Sequence, residues 1–455
     1  MPVTLIETVA ELQPTASEQV TRLAWERRKS LLFRLWIVTG LFFMVLPGTI
    51  LGFTNLLFIS AHHGLTGLSP AWIQAHGHSQ VFGWIGSFVL GIGFYSQPRT
   101  RANSGRLPLT CWALWATGLM LHWLAGAYMW QWRAMLPFSG LLELTAIVLF
   151  LYAASQHKLP EAAGSHPAEK KSRTRIEPWM QTVLVSNLAL FLAVAINFVV
   201  SLRLAIAGTS PAFPHNFDQR YLVLLGWGFL APLVWGFSAR WLPIFLGVDA
   251  VRGPLLQLAV SLDLLGVIVG MAGLALPASL LLFVAAILAA MAIRVFEVPQ
   301  RPAKTIGLHR SFPVFLRLAY AWSIAASLLG IWAAAADVHG GIWGGSRHAL
   351  TVGFAAMMVM TVGPRILPHF AGVRGIRSRG LMFATLLLLA AGCTLRVSME
   401  PLAYEGLWSF AWKLLPYSGC LELGAVLLFA LQLVLTFALE PSIFADRHEA
   451  APQAA

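Results

Sequence analysis

Two histidines, His76 and His78, open an apolar stretch of membrane length, AHGHSQVFGWIGSFVLGIGFYSQPR, which runs from Ala75 to Arg99. An ionisable side chain in a spanning helix is costly, so a pair at the mouth of one is a functional-site candidate. At 3.6 residues per turn, positions i and i+2 lie about 200° apart. His76 and His78 therefore point to different sites and cannot chelate one ion from a single helix face. Neutral imidazole is a good ligand for iron, and axial ligation sets the behaviour of a haem. A macrocycle held between helices needs one imidazole from each side at equal depth. A third histidine, His348, meets that need: it stands as far before Pro368 as His78 does before Pro98. The sequence reading is thus a haem with His78 and His348 as axial ligands.

The remaining residues define what must position these side chains. Of the 455 residues, 58% are hydrophobic and 11% charged, with mean hydropathy +0.71. Soluble domains carry about 25% charged residues, so the class is an all-α, polytopic membrane protein embedded in a lipid bilayer. A transmembrane barrel would show short alternating segments instead of long apolar runs. The net charge of +12 reads as cytoplasmic loop charge and not as a nucleic-acid surface. Cys111, Cys393 and Cys420 lack CxxC or CxxCH spacing, which argues against a disulfide framework, a thiolate-held cluster and a covalently attached c-type haem. A b-type haem is the expected form. The first apolar run, from Leu31, lacks a clear cleavage site and reads as a retained helix rather than a signal peptide.

Runs long enough to span, about 20 residues each, fall near 31–58, 72–97, 108–130, 136–155, 179–204, 220–246, 254–274, 277–295, 313–335, 347–369, 381–398 and 412–438. The expected organisation is an N-terminal arm over 1–30, one twelve-helix domain over 31–438 and a tail over 439–455. The loop 156–178 and the tail are polar and read as flexible. With the N-terminus inside, the cytoplasmic loops gather Arg99, Arg101, Arg106, Lys170, Lys171, Arg301, Lys304, Arg374 and Arg377. That bias predicts a cell inner membrane protein with both termini cytoplasmic. It also places His62, His63, His76, His78, His215, His339 and His348 near the outer surface.

The chain repeats itself. Helices two, six and ten end on Pro98, Pro243 and Pro368, and the last two share R-x-L-P-x-F-x-G-V from Arg240 and Arg365. Two helices after each comes LPFS at Leu136, LPAS at Leu276 and LPYS at Leu415; the first and third continue to Glu143 and Glu422. Twelve helices therefore resolve into three pseudo-symmetric units of four. Gly83 aligns with Gly353. The register position of His78 falls on Val223 in the middle unit, which has no histidine there.

Other candidates carry weaker signals. His62, His63 and His76 form a second possible cluster, for copper or a second haem, with His339 and His215 as further donors. His122 in helix three and His369 at the inner end of helix ten stand alone. Glu143, Glu422 and Asp263 are intramembrane carboxylates, read as paired or placed at helix starts. Arg240 and Arg365 are candidates for haem propionates, but their inner-end positions fit snorkelling and topology better.

The segment HGHSQVFGWIGSFVLGIGFYSQPR resembles the H-x-H helix of haem–copper oxidase subunit I, a fold of twelve helices in three arcs of four. More closely, HGHSQVFGW at His76 is similar to the H-A-H-E-x-x-F-G-F segment of the NnrS family. SARWLPIF around Arg240 is similar to that family's G-R-x-I-P-x-F block. RHALTVG at His348, followed by Arg365 and His369, is similar to its H-A-L-T-V-G…T-R…G-H motif. Ser79 stands where the family commonly has glutamate. The resemblance implies a bacterial membrane protein with haem and copper, acting in nitric oxide metabolism or the nitrosative-stress response with an unidentified electron donor. It does not define a reaction, and fold alone never does. A respiratory reductase would need histidines on helices six and seven. A secondary transporter would also suit twelve repeated helices, but favours polar midplane sites.

Overall fold

The computed structural model describes residues 16–156 and 176–444, and among these the fold is helical, with a lone bridge between Val373 and Ser442. The expected loop at 157–175 and tail at 445–455, like residues 1–15, lie outside the described residues. The long helices are α1 (residues 16–62), α2 (residues 70–96), α3 (Leu107–Tyr128), α4 (Trp132–Ser155), α5 (Pro178–Ala207), α6 (His215–Leu246), α7 (Gly253–Met271), α8 (Ala275–Ile293), α9 (Phe312–Ala336), α10 (Gly341–Phe370), α11 (Arg379–Tyr404) and α12 (Ala411–Leu439). Ten of them are long and apolar enough to cross a membrane. The other two, α2 and α3, are of spanning length, but their histidines, glycines and hydroxyls dilute the apolar signal.

The expected arm is partly helix. Residues 16–30 continue into the first span without a break, because the stretch from Ala16 to Thr39 has neither proline nor glycine and is rich in Ala, Leu, Glu and Arg, all good helix formers.

Four stretches are wound as wider π turns: Met44–Ile50, Ser79–Gly86, Leu224–Leu230 and Ala349–Ala356. Such turns are rare and concentrate at functional sites. In α1 the turn contains Pro47, which lacks an amide hydrogen and crowds the preceding turn. The other three begin one residue after His78, Val223 and His348, the three positions that the repeat brings into register. The packing repeats as well. The wide turn of α2 lies on α1, that of α6 on α5 and that of α10 on α9.

Within each of these three turns a glycine is followed by a buried aromatic: Gly83-Trp84, Gly228-Phe229 and Gly353-Phe354. At Gly83 and Gly353 the neighbouring helix comes too close for a side chain. A Cβ at Gly83 would lie 2.7 Å from the Phe43 Cβ, and one at Gly353 2.6 Å from the Trp322 Cγ. We expect Gly353→Ala to cost about 1–3 kcal/mol through overpacking, read as a lowered denaturation temperature in detergent. Gly77→Ala, where an added Cβ meets nothing within 4 Å, should cause no loss. Equal stability of the two variants would refute this account of the packing.

Helices α6 and α10 are the inner ones. In their most apolar stretches 78% and 67% of residues are buried, against 33–50% in the other eight spans. Helix α12 packs against α1, and the helices enclose a cavity.

Candidate functional site

The cavity measures about 1390 Å³ and is lined by all the central helices. That exceeds the roughly 300–1,000 Å³ of ordinary small-molecule pockets, so it has room for a large cofactor. Its wall includes His76, His78, His122, Arg220, Arg347 and His348.

His76 and His348 are held alike. The Nδ1 of His76 hydrogen-bonds to the Gly48 carbonyl of α1 at 2.9 Å. The Nδ1 of His348 hydrogen-bonds to the Gly344 carbonyl at 2.9 Å and lies 3.1 Å from Glu400 Oε2 of α11. Occupying one ring nitrogen fixes the tautomer and leaves Nε2 as the lone-pair donor, which is the usual support for a metal-ligating histidine. Both rings line the same cavity, as does Arg396. Glycines make the room. A Cβ at Gly52 would lie 2.6 Å from the His76 Nδ1, and one at Gly344 2.7 Å from the Glu400 carboxyl carbon.

The sequence expectation that His78 faces His348 is corrected. His78 turns away, toward α3 and α4. Its Nε2 lies 3.1 Å from Glu143 Oε1, and its ring stacks on that of His122 with centroids 3.5 Å apart and planes 2° from parallel. His348 instead meets Glu400 of α11. His76, whose Nδ1 meets the Gly48 carbonyl of α1, lines the same cavity as His348.

The expected cluster of His62, His63 and His76 is likewise not assembled. His62 bonds the Phe58 carbonyl of its own helix at 2.9 Å and stacks on the Phe58 ring. His63 stacks on Trp412, and His76 faces Gly48. His339 sits in an exposed loop, 3.2 Å from Glu405. His369 lies beside Phe370 at the opposite end of α10, and His215 lines the cavity at the start of α6. Arg240 pairs with exposed Glu177 and stacks on Trp179, while Arg365 donates to the Lys304 carbonyl; neither lines the cavity.

Sequence reading passed over the buried cations. Arg396 donates to Glu400 at 3.1 Å, a pair one helical turn apart. Arg347 donates to Gln219 and is within charge range of Asp218 and Glu400. Its place beside His348 was the available signal; the Arg396-x-x-x-Glu400 spacing was the other.

At the loop end of α11, burial pushes the Glu405 carboxyl up, but hydrogen bonds with His339 and Asp337 outweigh that and hold it below the ordinary range. Asp337 in turn accepts from the Trp343 amide at 2.6 Å. The stabilisation is complete above the unfolded-state value of about 4.3 and is lost as pH falls through the lower folded value. Hydrogen exchange around 337–343 should therefore accelerate as pH drops below about 4, corrected for the intrinsic rate. Glu405→Gln should flatten that dependence; an unchanged profile would reject it.

Residues 245–438 match the family model described as a domain of unknown function (DUF8744). No curated protein matches the chain. The matched stretch carries His348, Arg396, Glu400 and Glu422 but not His76, His78, His122 or Glu143.

Proposed function

We propose that this chain is a membrane haem protein in which His76 and His348 supply the axial nitrogens. The observation that carries the reading is the matched pair of imidazoles, each with Nδ1 engaged and Nε2 left to a cofactor-sized cavity. The donor set fits a haem in three respects. The nitrogens come from two helices that line one cavity, the wall of that cavity is largely apolar, and Arg220 and Arg347 on it offer cations to carboxylate substituents. Such an iron supplies one-electron redox chemistry, tuned by its ligands and their hydrogen bonds. The protein's own part is to hold both rings, to keep Glu400 on the His348 Nδ1 and to exclude water with the buried aromatics of the wide turns.

The twelve-helix, three-unit organisation of the oxidase subunit I type is part of this reading. It is supported by the repeated wide turns and the repeated Gly-aromatic packing. An inner-membrane location with both termini cytoplasmic follows from the loop charges. Nitric oxide as ligand, with copper as a second metal, rests on the three sequence blocks similar to the NnrS family. A respiratory reductase is disfavoured, because α6 and α7 bring only His215, at the start of α6, to the cavity wall.

The test is an optical spectrum of the purified, dithionite-reduced protein, with and without nitric oxide. A Soret band with resolved bands at longer wavelength is expected, and nitric oxide should shift it. A colourless preparation that cannot be reconstituted with haem overturns the proposal. A haem spectrum indifferent to nitric oxide removes only the ligand.

A further inference from the structure

The first repeat unit contains a second polar centre that the haem reading does not use. His78, His122 and Glu143 each offer a ligating atom, and the three atoms lie within 4.8 Å of one another. The residues are 8%, 7% and 0% exposed. Among the described residues Glu143 Oε2 and His122 Nδ1 have no hydrogen-bond partner, a cost of about 1–3 kcal/mol for each such group. Metal–nitrogen and metal–oxygen bonds of about 2.0–2.2 Å put ligand atoms up to roughly 4.2 Å apart. Side-chain rotations that move these atoms by less than about an ångström would therefore close the site.

The third unit shows what belongs there. A Cβ at Gly118 would lie 2.8 Å from the Glu143 Cγ, and one at Gly392 2.8 Å from the Glu422 Cγ. That matched packing puts Glu143 in register with Glu422, and His122, four residues after Gly118, in register with Arg396. His78 is already in register with His348. The third unit thus places His348, Arg396 and Glu422 where the first places His78, His122 and Glu143. There the guanidinium of Arg396 lies within charge range of Glu422 and compensates it. The first unit has a buried carboxylate in the same position, two imidazoles and no side-chain cation among its three members.

We propose that a divalent transition-metal ion, bound by His78, His122 and Glu143, supplies that missing positive charge. Two imidazoles and one carboxylate leave coordination positions open, and His78 and His122 face the cavity, so the ion meets solvent or a small ligand from that side. The site uses none of the atoms assigned to the haem and stands whether or not haem is bound.

The experiment takes the full-length protein in detergent, strips it with a chelator and titrates it with Co²⁺, whose visible d–d bands report nitrogen and oxygen ligation. Metal and haem contents are measured separately. One Co²⁺ per chain is expected, displaced by Zn²⁺. Glu143→Gln should weaken it at least about tenfold. The His62→Ala/His63→Ala double variant should bind as wild type. His122→Arg installs the third unit's cation; it should abolish binding and keep the denaturation temperature at or above that of the metal-free wild type, which shows that the fold survives. Absence of Co²⁺ binding by the wild type, or equal binding by His122→Arg, would overturn the site.

Discussion

Replacing His348 with alanine is expected to leave the protein without stably held haem. His348 is the better supported of the two axial imidazoles, since both the Gly344 carbonyl and the Glu400 carboxylate engage its Nδ1. A carboxylate on the far nitrogen raises the basicity of the ligating one, and loss of such support alone typically costs about 10–100-fold in metal affinity. Loss of the ligand itself removes the iron bond as well. The measurement is haem per chain by pyridine haemochrome after purification, where His348→Ala should fall to near zero. Glu400→Gln, which removes charge but keeps shape, should fall between the two. Wild-type haem content in His348→Ala would eliminate this residue as a ligand.

The second large effect concerns the Arg396–Glu400 pair. Their side chains are 11% and 7% exposed, and they meet at 3.1 Å. Breaking a buried pair by removing one partner leaves an uncompensated charge and costs about 3–5 kcal/mol, whereas replacing both with apolar residues is often close to neutral. We therefore expect Glu400→Leu alone to lower the denaturation temperature steeply. The Arg396→Leu/Glu400→Leu double variant should recover part of the loss. Glu422, half-buried and within charge range of Arg396, loses compensation when the arginine goes, which is why the recovery is partial. A double variant less stable than either single one would mean that the pair acts by direct attraction and not chiefly by avoiding a buried lone charge.

The repeat was legible in the sequence because terminal prolines and LPxS markers recur every fourth helix. The register aligns His78, Val223 and His348, and a wide turn begins one residue after each of them. What the register could not supply was direction. His78 meets Glu143 of α4, while His348 meets Glu400 of α11. His76, two positions earlier on the other side of α2, bonds Gly48 of α1 instead, and both histidines line the cavity. The opposition of His76 and His78 was readable from helical geometry; which of the two served which site was not, because it depends on the helices beside them. The His78–His122–Glu143 cluster draws one residue from each of three helices, and no spacing in the chain joins them. The expected grouping of His62, His63 and His76 is not assembled: His62 packs on Phe58 of its own helix, and His63 on Trp412 of α12.

The assignment of His76 rather than His78 is decided by the two alanine variants measured side by side by low-temperature electron paramagnetic resonance of the oxidised protein. Loss of the low-spin bis-imidazole signal in His76→Ala, with the signal kept in His78→Ala, is the result this structure predicts. A signal that survives in His76→Ala and vanishes in His78→Ala would contradict it.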